Sequence, residues 1–215
     1  MSYDRQQKYF EVAYRTGTDV WTHKPYKSKA LEFISLIPKD GFVLDVGAGR
    51  GYWAFILADL SFKVIGLEYL KGLVEINNRE VKSKGLENKM RFINGDVLEM
   101  NFEDESFDVI TDFGLVQHIK REHWDTYRNE VNRVLKTGGY VLNISLSKKT
   151  EKFLNFSPLK SETGEFEKEG IFYNFLTEED VFKIYGDNIE IIKQETLLLP
   201  EHNNEILLFT LLKKN

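Results

Sequence analysis

The sequence contains no cysteine, and this absence excludes two kinds of structure. Neither a disulfide framework nor a metal site built from thiolates can form without cysteine. The composition therefore favours an intracellular, cytoplasmic protein. We also predict no metal site of histidines, because His118 and His123 are five positions apart, which is the wrong spacing for two ligands on one helix face.

Long apolar runs are also missing. A membrane-spanning helix needs roughly 20 consecutive apolar residues. The longest candidate, Ile206–Leu212, is interrupted by Thr210 and is typical of a buried strand. The segment Met1–Phe10 is polar and charged and lacks the apolar stretch of a signal peptide. We therefore expect no membrane partner.

Negative charges exceed positive charges by only a small number, which gives a formal net charge of −5 at pH 7. This balance argues against a broad binding surface for nucleic acid, whose phosphates are themselves negative. A local basic cluster at Lys148, Lys149 and Lys152 is interpreted as solvated surface. The length of 215 residues predicts a single domain, and the sequence leaves its oligomeric state open.

Two patterns alternate between residues 42 and 147. Short runs rich in Val, Ile and Phe predict buried strands at Phe42–Val46, Lys63–Leu67, Met90–Ile93, Phe107–Thr111 and Tyr140–Ile144. Longer stretches with helical spacing predict helices at Tyr52–Leu60, Leu70–Lys84 and Glu122–Leu135. Strict alternation predicts an α/β fold, a doubly wound sheet of mainly parallel strands with helices on both faces.

Segments outside this core complete the predicted organisation. Residues 1–39 are predicted to be a helical extension that acts as a lid, with a second helix near Tyr26–Ile37. Residues 148–176 form a long connection on the substrate side, and such connections are often functional. Within it Tyr173 and Phe175 line a pocket or pack in the core, and we favour the core.

Residues 177–215 are predicted to hold a final helix and two strands. Thr177 is followed by three acidic residues, which is typical of a helix start. The two apolar strands that follow lie near Ile189–Glu195 and Glu205–Leu212.

The first predicted strand runs directly into a glycine-rich turn and then into a helix. Glycine permits unusual backbone angles and removes the side chain where a ligand must approach. The dinucleotide fingerprint G-x-G-x-x-G requires a glycine at position 52, which is Tyr52 here. The turn is therefore a nucleotide site of a different kind, and its candidate ligand-binding residues are Asp45, Gly47, Ala48, Gly49 and Gly51.

Acidic residues follow the other strands at the same edge of the predicted sheet. Glu68 comes 21 residues after Gly47, at the position of an acid that binds ribose hydroxyls. Asp96 follows the third strand, where it either accepts from the exocyclic amine of adenine or forms an Asx turn. The carboxyl ends of parallel strands meet at one edge, so we expect these acids to lie close together.

This series of motifs resembles the class I S-adenosylmethionine-dependent methyltransferases. The resemblance covers nearly the whole chain and is carried by residues 43–51, 64–68, 94–97, 107–110 and 133–140. It implies a seven-stranded mixed sheet with an antiparallel last strand. It also implies S-adenosyl-L-methionine as the cofactor and S-adenosyl-L-homocysteine as the product.

The resemblance also implies where each part of the cofactor binds. The glycine turn would face the methionine part, and Glu68, followed by Tyr69, would hold the ribose. Asp96 would bind the adenine amine with Val97 beside it. Asp112 or Phe113 would border the methionine amine.

An N-terminal segment, residues 16–21, is similar to one that small-molecule branches of the family place over the cofactor. Trp21 at its end would cover the sulfonium, a cation that favours an aromatic face. The alternative is that Trp21 packs the extension on the core, and the sequence leaves both open.

No catalytic signature is present, and transfer of an activated methyl group needs none unless the acceptor is protonated and weak. His118 is the candidate base, although a polar residue of a helix is the favoured interpretation. The length leaves no room for an appended RNA-binding domain, so we predict a small-molecule acceptor. The alternatives are a protein or RNA methyltransferase, a module without turnover, and a nicotinamide-dependent oxidoreductase.

Overall fold

The computed structural model describes residues 3–19, 21, 25–154 and 156–215. The helices in these residues are α1 (Asp4–Thr16), α2 (Lys27–Ile34), α3 (Tyr52–Asp59), α4 (Lys71–Ser83), α5 (Trp124–Val134) and α6 (Glu178–Tyr185). The strands are β1 (Phe42–Val46), β2 (Lys63–Glu68), β3 (Met90–Asn94), β4 (Phe107–Phe113), β5 (Leu135–Leu146), β6 (Glu165–Lys168), β7 (Ile171–Asn174), β8 (Ile189–Leu199) and β9 (Glu205–Lys214).

Seven of the strands form one sheet, in the order β3-β2-β1-β4-β5-β9-β8. The first five strands are parallel to one another, and β9 runs antiparallel to both of its neighbours. This confirms the predicted mixed sheet with an antiparallel last strand. The strand order reverses between β1 and β4, and ligands of open α/β sheets bind at the carboxyl ends of strands at such a point.

Helices cover both faces of the sheet, as the alternation of strands and helices predicts. Side chains alternate along a strand, so β1 contributes Val43 to the face under α2 and α3 and Leu44 to the face under α5 and α6. Both residues are fully buried. A strand buried on both faces needs apolar residues at successive positions, which explains the short apolar runs of the sequence.

The last helix shows how local sequence sets an element boundary. The Thr177 hydroxyl accepts from the Asp180 backbone N–H, and the Asp180 carboxylate accepts from the Thr177 backbone N–H. This capping box satisfies two backbone donors that would otherwise lack partners. The prediction that a helix begins at Thr177 is confirmed.

Two features of the fold differ from the sequence prediction. The long connection contains a hairpin of β6 and β7, because Glu165–Lys168 pairs with Ile171–Asn174. Strand β5 begins at Leu135, five residues before the predicted start, and pairs there with Phe107. The register between β4 and β5 then shifts, which lets the strand absorb Gly138 and Gly139.

Among the residues that the structure describes, no helix combines the length and the apolar character of a bilayer span.

Candidate active site

A cavity of about 670 Å³ opens at the carboxyl edge of the sheet. Its floor is formed where β1, β2 and β4 end, and α1 lies across its mouth. The sequence-predicted residues that line it are Asp45, Gly47, Ala48, Gly49, Glu68, Tyr69, Asp96, Val97, Phe113, His118 and Trp21. Residues from distant parts of the sequence therefore meet at the edge that the strand pattern indicates.

The glycine turn forms one wall of this cavity. Gly47 and Gly49 have φ angles of +65° and +54°, a region that side chains other than glycine rarely adopt. The Ala48 N–H donates to the Leu67 carbonyl at 3.1 Å, which holds the turn against the end of β2. The Asn77 side-chain amide of α4 donates to the Gly49 carbonyl at 2.8 Å. The turn is thus held from two sides and presents backbone to the cavity.

Gly51 has a different role from the one predicted. It does not line the cavity, and a Cβ atom there would lie 2.5 Å from the ring of Phe92. Gly51 instead precedes α3 with a φ of +74° and lets this helix approach the sheet. The prediction of a ligand contact at Gly51 is corrected to a packing role, because Phe92 lies 41 positions away in the sequence and only the fold brings it there.

Glu68 links the turn to the end of β2. One of its carboxylate oxygens accepts from the Gly49 N–H at 2.8 Å, and the other accepts from the Leu70 N–H at 2.9 Å. The side chain is almost fully buried, and this burial raises the pKa of the Glu68 carboxyl, opposed by the backbone N–H donors. A carboxylate has about four lone-pair positions, so Glu68 keeps capacity for a further donor in the cavity besides the backbone N–H groups that it already accepts from.

Asp96 and its neighbours form the far wall. The Asp96 carboxylate accepts from the Leu98 N–H at 2.9 Å, which is the Asx turn that the sequence left as an alternative. The residue is exposed and its carboxylate also borders the cavity. The Tyr69 hydroxyl lies nearby and is buried without a hydrogen-bond partner among the described residues. This wall therefore combines acceptors and a donor that a polar ligand can satisfy.

Asp112 does not reach the cavity. Its carboxylate is fully buried on the opposite face of the sheet, where it accepts from Tyr127 at 2.8 Å and from the Leu115 N–H at 2.8 Å. The prediction that Asp112 borders a ligand is wrong for a geometric reason. Adjacent residues of a strand point to opposite faces, and it is Phe113 that points into the cavity.

Trp21 lies in an aromatic cluster over the glycine turn. Its indole N–H donates to the Tyr14 hydroxyl at 2.9 Å, and its ring contacts Phe10 edge-on at 5.2 Å between centroids. A Cβ atom on Gly49 would lie 2.6 Å from the Tyr14 hydroxyl, so the cluster rests directly on the turn. Trp21 thus packs the extension on the core and also borders the cavity. Residues 22–24 of the predicted lid lie outside the described residues.

Sequence reasoning missed the contact that fastens this extension. The Arg50 guanidinium binds both oxygens of the Asp19 carboxylate at 2.7 Å and also donates to the Tyr14 carbonyl at 2.7 Å. Asp19 is buried, and the planar guanidinium matches a carboxylate with two parallel hydrogen bonds. The only sequence signal for this contact is that an arginine, Arg50, stands inside the glycine turn. The turn itself does not require a charged residue at that position.

We expect Arg50→Ala to loosen α1 over the cavity, because it removes all three of these hydrogen bonds. Affinity for S-adenosylhomocysteine should fall about tenfold, mostly through faster dissociation. A lost charge-assisted hydrogen bond costs about 1.5–3 kcal/mol, and solvation of the freed groups offsets part of this free energy. Stopped-flow tryptophan fluorescence would measure the dissociation rate, since Trp21 and Trp53 both line the cavity. Arg50→Lys should recover only part of the loss. Arg91→Ala, at an exposed position, is the matched control. Equal rates of S-adenosylhomocysteine dissociation from Arg50→Ala and Arg91→Ala would refute a fastening role for Arg50.

His118 borders the cavity but is a poor proton acceptor. Its Nδ1–H donates to the Phe172 carbonyl at 2.7 Å, which leaves Nε2 unprotonated. Burial lowers the pKa of His118 to about 4. A base is most effective when its pKa lies near the working pH, so this histidine is neutral but weak at pH 7.

The remaining part of the cavity is apolar and aromatic. The rings of Tyr26 and Trp53 stack at 6.0 Å between centroids, and Trp53 contacts Phe113 at 4.6 Å. Tyr173 also lines this region, whereas Phe175 is fully buried in the core. The favoured prediction for this pair is therefore correct for Phe175 alone. Within the described part of the chain no group of three or more His, Cys, Asp or Glu residues is arranged to hold a metal ion.

The strand order and the cavity define an α/β protein with a seven-stranded mixed sheet and an open site at its carboxyl edge. Residues 43–139 match a family model described as a methyltransferase domain. Demethylmenaquinone methyltransferase of Bacillus pumilus is 32% identical over 129 residues, which are 58% of this chain and 53% of that protein. The chain therefore spans about half the length of the curated relatives that it matches.

Solved structures show the same fold. The 1,6-didemethyltoxoflavin-N1-methyltransferase of Burkholderia thailandensis, with bound S-adenosylhomocysteine, has a TM-score of 0.78 and 19% identity, covering 99% of this chain and 88% of that one. The PH0226 protein of Pyrococcus horikoshii has a TM-score of 0.70 and 21% identity, with coverage of 97% and 99%. The likeness to these structures shows that the chain has their fold.

Proposed function

We propose that this protein binds S-adenosylmethionine at the carboxyl edge of the sheet and transfers its methyl group to a small molecule. The observation that carries the proposal is the Glu68 carboxylate, which is fixed by Gly49 and Leu70 and faces the cavity with unused lone pairs. A ribose offers two neighbouring hydroxyl donors to such a carboxylate. The same position is filled by an acid in nucleotide sites of this sheet type.

The other walls suit the remaining parts of the cofactor. The backbone of Gly47 and Gly49 leaves room for the methionine part, next to the Asp45 carboxylate. Asp96 and Val97 offer an acceptor and an apolar surface to adenine. Trp21 and the rings around it would stand over the sulfonium, whose positive charge favours aromatic faces.

Methyl transfer follows from the chemistry of the bound cofactor, whose sulfonium methyl group is already electrophilic. The protein must hold a nucleophile in line with the sulfur and exclude water. The apolar region beside Phe113 and Trp53 offers a surface with few polar groups for an acceptor of modest size, which supports this part of the proposal. Two of the similar proteins carry names of small-molecule methyltransferases, which supports an acceptor of that class. The cytoplasmic location stays a prediction from the sequence.

Calorimetric titration with S-adenosylhomocysteine and with NAD tests the proposal. We expect S-adenosylhomocysteine to bind and to raise the melting temperature, because a ligand that binds only the folded state stabilises it. NAD should have little effect, since Tyr52 occupies the position of the third dinucleotide glycine and borders the cavity. Stabilisation by NAD alone would contradict the proposal and favour an oxidoreductase.

A further inference from the structure

Glu205 is an acidic side chain in the apolar part of the cavity that the sequence reading did not assign to the site. It is the first residue of β9, and β9 starts where β5 ends because the two strands run antiparallel. Leu207, two positions further, lies opposite Leu146 at the end of β5. Glu205 therefore stands at the same edge as the proposed cofactor site, on the side of β4 and β5.

The backbone that carries Glu205 is held firmly. The next residue, Ile206, accepts from the Ser147 N–H at 2.8 Å, and its own N–H donates to the Thr150 hydroxyl at 3.0 Å. On the other side Glu205 pairs with Leu199 across the β8–β9 hairpin. A side chain on a fixed strand end is held in place better than one on a loop.

The surroundings of Glu205 suit a flat, apolar ligand. The stacked rings of Tyr26 and Trp53 lead from Glu205 to Phe113 at the end of β4. The walls between them are aliphatic and consist of Ile144, Leu146, Leu199 and Leu207. Aromatic ligands pack favourably against such rings in offset or edge arrangements.

The charge of Glu205 is not neutralised within the described residues, where its carboxylate makes no hydrogen bond or ion pair. The titratable groups that face it are Tyr26 and, in the same hairpin, His202. Burial raises the pKa of the Glu205 carboxyl to about 7. A carboxylate with that affinity for protons is better matched to proton transfer at neutral pH than His118 is.

We propose that Glu205 accepts the proton of an aromatic hydroxyl or ring N–H acceptor while the acceptor atom is methylated. The inference rests on the proposed function, which supplies the methyl donor. The acceptor O–H or N–H bond breaks and its proton passes to a Glu205 oxygen. The freed electron pair forms the bond to the methyl carbon, and the C–S bond breaks with its pair left on sulfur. The products are the methylated acceptor, S-adenosylhomocysteine and protonated Glu205.

The test measures labelled methyl transfer to naphthol, hydroxyquinoline and benzimidazole, with phenylethylamine and phenylacetate for comparison. For the best aromatic acceptor, Glu205→Gln should lower kcat by about 100-fold or more, since a positioned base contributes about 10²–10⁴-fold. The KM and the affinity for S-adenosylhomocysteine should change little. In the wild type kcat/KM should rise with pH through about 7, and the glutamine variant should lack this inflection.

Two further variants sharpen the result. Glu205→Asp keeps the carboxylate and should recover part of the rate. Glu201→Gln alters an exposed carboxylate of the same hairpin and should leave kcat and the pH profile unchanged. Equal kcat and the same inflection in wild type and Glu205→Gln would overturn the inference. So would a wild type that binds S-adenosylhomocysteine but methylates none of naphthol, hydroxyquinoline and benzimidazole. A wild type that fails to bind S-adenosylhomocysteine would refute the proposed function itself.

A stability measurement shows whether the variant is folded and whether Glu205 titrates as expected. The pKa of the folded form is raised from 4.5 to about 7, so the stability that Glu205 contributes is present below 4.5 and is lost as pH rises through 7. Glutamine cannot ionise and removes this dependence. Glu205→Gln should therefore unfold at the same or a higher temperature than the wild type at pH 8.

Discussion

Replacing Gly49 with valine is expected to abolish binding of S-adenosylhomocysteine, with a loss of affinity of about 100-fold or more, or about 2.7 kcal/mol. The φ angle of Gly49 is +54°, where a β-branched residue is strained. Its Cβ atom would also lie 2.6 Å from the Tyr14 hydroxyl, so the aromatic cluster over the turn must move. Calorimetric titration measures the affinity, and circular dichroism shows that the domain is still folded.

The control for this variant is Gly72→Val. Gly72 lies exposed in the first turn of α4, and nothing lies within 4 Å of a Cβ atom built there. This substitution should leave the affinity within about twofold of the wild type. Normal binding by Gly49→Val would show that the ligand does not approach the turn.

Glu68→Ala is expected to produce the second large effect, because this carboxylate holds the glycine turn in the structure and is also the proposed partner of the ribose. The variant removes the acceptor proposed for the ribose and leaves the N–H groups of Gly49 and Leu70 without their partner. Each buried donor left unsatisfied costs about 1–3 kcal/mol. We therefore expect a lower melting temperature and a loss of affinity for S-adenosylhomocysteine of about 100-fold.

A second ligand separates the two tasks. The deoxy analogue of S-adenosylhomocysteine, which lacks the ribose 2′-hydroxyl, should bind the wild type more weakly than the parent compound. In Glu68→Ala the two ligands should bind equally, because the partner of that hydroxyl is already gone. An undiminished difference in the variant would remove Glu68 from the ribose site and leave it only its role in holding the turn. Alanine at the exposed Glu75 of α4 serves as the matched control.

Much of the fold and part of the site could be predicted from the sequence because they depend on local patterns. An apolar run followed by glycines specifies a strand and a tight turn, and the alternation of runs and helices specifies a parallel sheet. Glu68 was found because its distance from Gly47 along the chain is fixed by one strand-helix-strand unit. Each of these arguments needs only neighbouring elements.

The errors concern contacts between distant segments. Asp112 and Phe113 are adjacent in the sequence, and only the packing of α5 and α6 against one face decides which of them reaches the cavity. Gly51 was assigned to the ligand because its neighbour Phe92 on β3 is invisible to a local pattern. The strand β6 was missed because Glu165–Lys168 is short and largely polar, which is typical of a loop.

The sequence by itself determined the order of strands and helices and the edge of the sheet at which the cavity opens, since both follow from chain-local spacing and from the direction of parallel strands. Only the tertiary structure decided how the N-terminal extension is fastened over the cavity and which residues line the apolar part beyond the proposed cofactor site. Asp19 meets Arg50, and Glu205 meets Tyr26, across separations that no periodicity encodes. Those contacts depend on how whole elements pack.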